Sequence, residues 1–223
     1  MNFFGHAALA ASHFRGDRPP PSPGDLSTLC VGAMLPDFIG MLRLSRPAVA
    51  DAVLARGVAF HHRSDEAFHE LSSFVGLSRQ AFDWLSSRAL PRGPARAVAH
   101  IGIEMLLDEV FAEDSEARDA YRAALAVELG PLLSFPAPLD AERLAALQRA
   151  LLERAESARN ASAELMAERI RRTLAGRPRL ATEDSAQSLL TLWVATTRPL
   201  VAAEAPQVFA TLRRQLANFS GPK

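Results

Sequence analysis

Cysteine is nearly missing: Cys30 is the only one in 223 residues. An intrachain disulfide framework and a Cys-based zinc site are therefore excluded, and the chain fits a reducing compartment. Lysine is as scarce. Lys223 stands alone, so arginine carries almost all the positive charge, and the formal net charge is 0 with a sequence pI of about 7.0. That balance leaves no electrostatic footprint for nucleic acid or an anionic membrane, and neither is expected as a partner. No run approaches the ~20 apolar residues of a membrane span. The opening "MNFFGHAALAASHF" imitates a signal-peptide cleavage region, but it lacks a basic start and His6 interrupts its apolar stretch. A cytoplasmic location is expected. A Gly-rich phosphate loop and a G-x-S-x-G elbow are missing too, as is any repeat of about 20–50 residues.

What is present is helix-forming. Alanine, leucine, arginine and glutamate abound and β-branched runs are few. The chain is 48% apolar, enough for a sizeable core. "RPPPSPGDLSTL" (18–29) reads as a loop, with Asp25 or Ser27 capping the next helix. "LSRPAVADAVLARGVAF" has helical spacing, with Pro47 in the first turn. Further helices are expected over 78–90, 93–111, 114–129, 141–158, 162–176, 185–197 and 199–219, with a dividing loop at 130–140. The expected fold is all-α: one helical bundle over 1–223, with site helices mainly in 1–112 and a helical scaffold in 113–223.

All six histidines lie in the first half: His6, His13, His61, His62, His69 and His100. On a helix, residues four apart share a face. His61, Asp65 and His69 then form one ladder, and His100, Glu104 and Asp108 a second, set among Ile101, Ile103, Met105, Leu106 and Leu107. A carboxylate on so apolar a helix must be paired, metal-bound or at a cavity, because an isolated buried charge costs too much. His61 and His69 would stand about 12 Å apart along the axis, too far to share one ion, with Asp65 able to work with either. Asp37 follows Pro36 in an apolar segment, where it could equally cap a helix. His6 could be a hydrogen-bonded core residue, and His13 belongs at the surface. Imidazole and carboxylate donors without thiolate suit zinc, iron or manganese. The plainer reading is solvated faces with salt bridges such as Arg63 to Glu66 or Glu70.

In order and spacing these pieces resemble the acyl carrier protein phosphodiesterases, which look like divergent HD-domain metal-dependent phosphohydrolases. "MNFFGHAALA" is similar to that family's opening, and "GAMLPDF" resembles its Gly-x-x-x-x-Asp-Phe segment. "GVAFHHRSD" resembles its His-Arg-x-Ile-Asp helix, "EMLLDEVF" its Asp-x-x-x-Asp-His-Phe segment, and "RPRL" (177–180) recurs in a similar place. The resemblance implies an HD-like bundle, a divalent metal, and hydrolysis of the phosphodiester joining 4′-phosphopantetheine to a carrier-protein serine. His6, Asp37, His61, Asp65, His69, His100, Glu104 and Asp108 would be the metal ligands. Asp65 and Asp108 would be oxygen ligands or a base for water, and Arg63 would hold a phosphate oxygen. The chain departs from the family pattern in carrying His69 where a second acid is usual, Glu104 in place of aspartate and Glu109 in place of histidine. Two other readings compete: a zinc-dependent phospholipase C-like hydrolase, and a non-catalytic helical protein whose site has decayed.

Overall fold

The computed structural model describes residues 1–154 and 161–221. Nine helices succeed one another among them: α1 (Phe3–Phe14), α2 (Pro23–Leu42), α3 (Ala52–His69), α4 (Ser72–Ser86), α5 (Arg92–Phe111), α6 (Ser115–Leu125), α7 (Pro138–Arg154), α8 (Ala163–Ala175) and α9 (Gln187–Leu216). The fold is an all-α helical bundle. Its one small sheet among the described residues pairs β1 (Ala48–Val49) antiparallel with β2 (Leu133–Ser134). A single apolar core, with Phe14, Phe38, Phe60, Phe68 and Trp193 fully buried, runs through the bundle.

Prolines account for most differences from the sequence reading. α2 begins at Pro23, capped by Ser22, so the 18–29 loop is shorter than expected. Proline at the first helical position forgoes only an N–H that has no partner there. Pro36 then lies inside α2, which makes Asp37 an interior helical residue and not a cap. Pro47 falls outside any helix, next to β1, and α3 starts later at an Asp51 cap. Pro199 and Pro206 lie within one continuous α9, where the sequence predicts two helices. Each costs α9 a backbone hydrogen bond, but a buried stripe of Trp193, Val194, Thr197, Val201, Ala205, Val208 and Leu212 holds the helix on the core. Residues 155–158 of the expected 141–158 helix lie outside the described residues. α2 is, against expectation, long and apolar enough by composition to cross a membrane, although Leu29, Cys30, Val31, Met34, Leu35 and Phe38 are buried in the core.

Two glycine contacts set the spacing between the histidine-bearing helices and their neighbours. Gly32 of α2 meets Gly57 of α3 backbone to backbone: a Cβ on Gly32 would lie 2.5 Å from the Leu54 carbonyl oxygen, and one on Gly57 would strike the Leu29 carbonyl. Gly102 of α5 lies against the Trp193 ring of α9, which a Cβ would penetrate. Alanine at a helix-interior glycine ordinarily gains about 1 kcal/mol of helix propensity, whereas overpacking a tight contact costs about 1–3 kcal/mol. At Gly57 the obstacle is backbone, which cannot swing aside. Gly57→Ala is expected to lower the unfolding free energy by about 2 kcal/mol, measured by urea denaturation. A more stable variant would show that the helices do not touch there.

Candidate metal centre

Four helices deliver donor atoms to one place: His6 from α1, Asp37 from α2, His61, Asp65 and His69 from α3, and His100 and Glu104 from α5. They form two groups. His6, Asp37 and His61 make one and His69, His100 and Glu104 the other, and within each the donor atoms lie within 4.8 Å of one another. Asp65 stands between them, with Oδ1 3.6 Å from His6 Nε2 and 3.4 Å from His69 Nδ1. The two turns between His61 and His69 thus place them in different groups. The Met1 ammonium brings a full positive charge from outside these side chains, 3.1 Å from Glu104 Oε1 and 3.7 Å from Asp65 Oδ1.

The hydrogen bonds behind the rings fix their tautomers. His61 Nδ1 lies 2.8 Å from the Ala33 carbonyl, which can only accept, so Nδ1 carries the proton. Ser64 gives its own proton to the His61 carbonyl at 3.0 Å, so at 3.0 Å from His6 Nδ1 its oxygen accepts. His69 Nδ1 faces the Asp65 carbonyl at 3.0 Å. Each of these Nδ1 bonds aims the ring's Nε2 into the cluster, which is how metal-binding imidazoles are oriented. In the His6 group two lone pairs converge on a carboxylate: His6 Nε2 is 3.9 Å from Asp37 Oδ2, and His61 Nε2 is 4.0 Å from Asp37 Oδ1. His6 Nε2 and Asp37 Oδ2 are buried with no hydrogen-bond partner. Acceptors facing acceptors lack a positive charge between them, and the donor set fits a divalent cation.

Protonation obeys the same geometry. Burial lowers the His6 imidazole to about 4, and burial with the neighbouring His6 lowers His61 to about 3, so both are neutral. Burial raises Asp37 to about 7. Pairing with Asp65 and Glu104 raises His69 to about 9. Burial alone would push the Asp65 and Glu104 carboxyls up, but His69 and the ammonium around Asp65, and the ammonium, His100 and His69 around Glu104, hold each well below the usual range. A proton on His69 and the Met1 ammonium thus supply the positive charge between the two acids.

Two expected site residues go elsewhere. Arg63 is exposed and pairs with Glu66 at 2.7 Å. Two residues on a helix is a turn of about 200°, so Arg63 points away from the face that carries His61 and Asp65, and the phosphate-holding role read for it is corrected. Asp108 belongs to neither group. Its Oδ1 accepts the Gly5 N–H at 2.9 Å, anchoring the first turn of α1, and burial raises its carboxyl well above the usual range. Glu109 bonds Arg198 of α9 at 2.9 Å, so that departure from the family pattern falls on a helix–helix ion pair. His69 and Glu104, the other two departures, are both members of the second group. His13 is not a surface residue but packs on Phe14, Phe60 and Phe219.

The sequence reading misses Ser64 and Phe74. Ser64 lies one turn after His61 on a face that the His/Asp ladder already marks as buried, a usable signal. Phe74 comes just after the break that ends α3, and nothing in the local pattern marks it. Against protein-family models, curated proteins and solved structures alike, the chain finds no match.

A divalent ion needs the Nε2 lone pair of His69 and an ionised Asp37, so its binding must expel protons held up to about 9 and about 7. His6 and His61 release none. The affinity of the metal-free protein for zinc should therefore climb from pH 7 to 9 and flatten above. Calorimetry in buffers of different ionisation enthalpy should register protons released at pH 7. Binding without proton release at pH 7 would contradict the assigned protonation states.

Proposed function

We propose that this protein is a metal-dependent phosphodiester hydrolase working with two divalent ions, one per group. The observation that carries the reading is the shared Asp65 between two imidazole–carboxylate groups, with orphaned lone pairs at His6 Nε2 and Asp37 Oδ2. When bound, such ions lower the pKa of water and neutralise charge on phosphoryl oxygens. Manganese, zinc and iron all suit the donors.

The side chains divide the remaining work. His6 and His61, neutral and held from behind by Ser64 and Ala33, present fixed nitrogen donors. Asp65 is the most exposed of the three cluster carboxylates, at 38%, and stands midway between the groups. It is therefore the side chain that would lend its negative charge and oxygen donors to ions in either group. Asp108 accepts the Gly5 N–H and so positions α1, while burial raises its carboxyl well above the usual range.

For the substrate, the sequence resemblance points to holo-acyl carrier protein, with 4′-phosphopantetheine as the product. An HD-like arrangement and a cytoplasmic setting belong to the same reading. The zinc-dependent phospholipase C-like alternative draws on the His69–His100–Glu104 group, whose donors, two imidazoles and one carboxylate, are those of a catalytic zinc site.

Asp65→Asn keeps the shape of the side chain and removes its charge. With manganese or zinc present, the variant should remain folded by circular dichroism and lose about a hundredfold or more in turnover, equivalent to about 2.7 kcal/mol of transition-state stabilisation. Holo-acyl carrier protein, a phosphatidylcholine and an aryl phosphodiester should be assayed side by side, with products monitored by mass spectrometry. Turnover of the aryl ester without the carrier protein would retain the hydrolase and discard that substrate. Failure on all three with each metal would favour the non-catalytic reading.

A further inference from the structure

The two groups differ in how closely their donors are drawn together. In the His69 group, His69 Nε2 to His100 Nε2 is 3.2 Å, His69 Nε2 to Glu104 Oε1 is 3.4 Å and His100 Nε2 to Glu104 Oε1 is 3.2 Å. A tetrahedron with zinc–ligand bonds of about 2.0–2.1 Å has edges of about 3.3–3.4 Å. These three atoms already have the spacing of one face of such a tetrahedron. In the His6 group the separations from Asp37 are 3.9 and 4.0 Å, wider than that edge, so a cation there has to pull its ligands in.

The narrow group has an aromatic brace. The imidazoles of His69 and His100 are parallel to within 7°, with centroids 5.0 Å apart. Phe74, in the first turn of α4, stands edge-on to both: 5.3 Å from His69 at 84° and 5.3 Å from His100 at 77°. Its ring is buried and packs on Phe68. His69 has the Asp65 carbonyl behind it, whereas His100 is 46% exposed and its described hydrogen bonds and ion pairs run only inward, to His69 and Glu104. Phe74 is thus the apolar wall that keeps the His100 ring parallel to its neighbour.

We infer that Phe74 is a positioning residue that holds His69, His100 and Glu104 as a preformed four-coordinate site, which takes an ion of tetrahedral preference such as zinc before the His6 group fills. The inference rests on the metal-binding reading and adds an order of filling and a residue that sets it. A site whose donors are already in place spends no binding energy on gathering them, while the wider group has to draw its ligands together.

The test is a titration of the full-length metal-free protein with cobalt(II), read by visible absorption, in which tetrahedral cobalt absorbs far more strongly than six-coordinate cobalt. Stoichiometry comes from elemental analysis and zinc affinity from competition with a chromophoric chelator. The wild type should take up two ions in order, the first with the intense spectrum. His100→Ala should lose that first step, and His61→Ala should keep it. Phe74→Leu should stay folded, with first-step affinity down by about tenfold or more and the intense band weakened. Phe74→Tyr, which restores a ring, should recover both. A wild-type spectrum and affinity in Phe74→Leu would overturn the inference, as would a first step that survives His100→Ala or two ions bound with equal affinity. A wild type that binds no cobalt would overturn the metal reading itself, which separates the two failures.

Discussion

The contact of Gly32 with Gly57 is the constraint on which the centre depends. With no Cβ on either side, α2 and α3 meet at backbone distance. Further along each helix, that proximity brings the Ala33 carbonyl to His61 Nδ1 and Asp37 to within 4.0 Å of His61 Nε2. A side chain at the crossing would hold the helices apart and break both relations together. α3 passes the arrangement on to α1 through Ser64, and His69 carries it to α5 through His100 and Glu104.

Within that frame the centre is built against its own stability. Burying lone pairs and carboxylates without donors costs free energy, and here His6 Nε2 and Asp37 Oδ2 are left unmatched in the interior. A chain selected for packing alone would place apolar side chains at these positions, as it does at Leu9, Val31 and Phe68 nearby in sequence. The backbone carbonyls and the serine behind the rings serve to aim them inward. That aiming leaves the lone pairs converging where a cation would fit.

Much of this is legible in the chain, and what is not has physical reasons. Four-residue spacing exposes both ladders, because helical periodicity is local and survives without tertiary information. It separates His61 from His69, as the structure does, and of the two histidines it offers Asp65 the structure pairs His69. The same rule reads through Asp108, whose carboxylate turns to a backbone N–H of α1, a partner about a hundred positions away that no local pattern reveals. Arg63 attracts attention through its charge and its motif, although its angular position already sets it on the far face. The prolines mislead in a consistent way: Pro36 and Pro199 mark breaks to a local reading, but tertiary burial of the surrounding stripes outweighs the loss of single hydrogen bonds.

The fixing of α1 has a mechanical consequence. Its first turn is tied by the Gly5 N–H to Asp108, and its last by the His13 ring to the Phe219 carbonyl, beyond the end of α9. A helix held at one end swings like a cantilever, and small rotations at the root grow along its length. Held at both ends it is a short beam, stiff against tilt and against sliding along its axis. His6 sits between the supports, so slack introduced beside Phe219 is transmitted through α1 to an imidazole that faces Asp37 and Asp65.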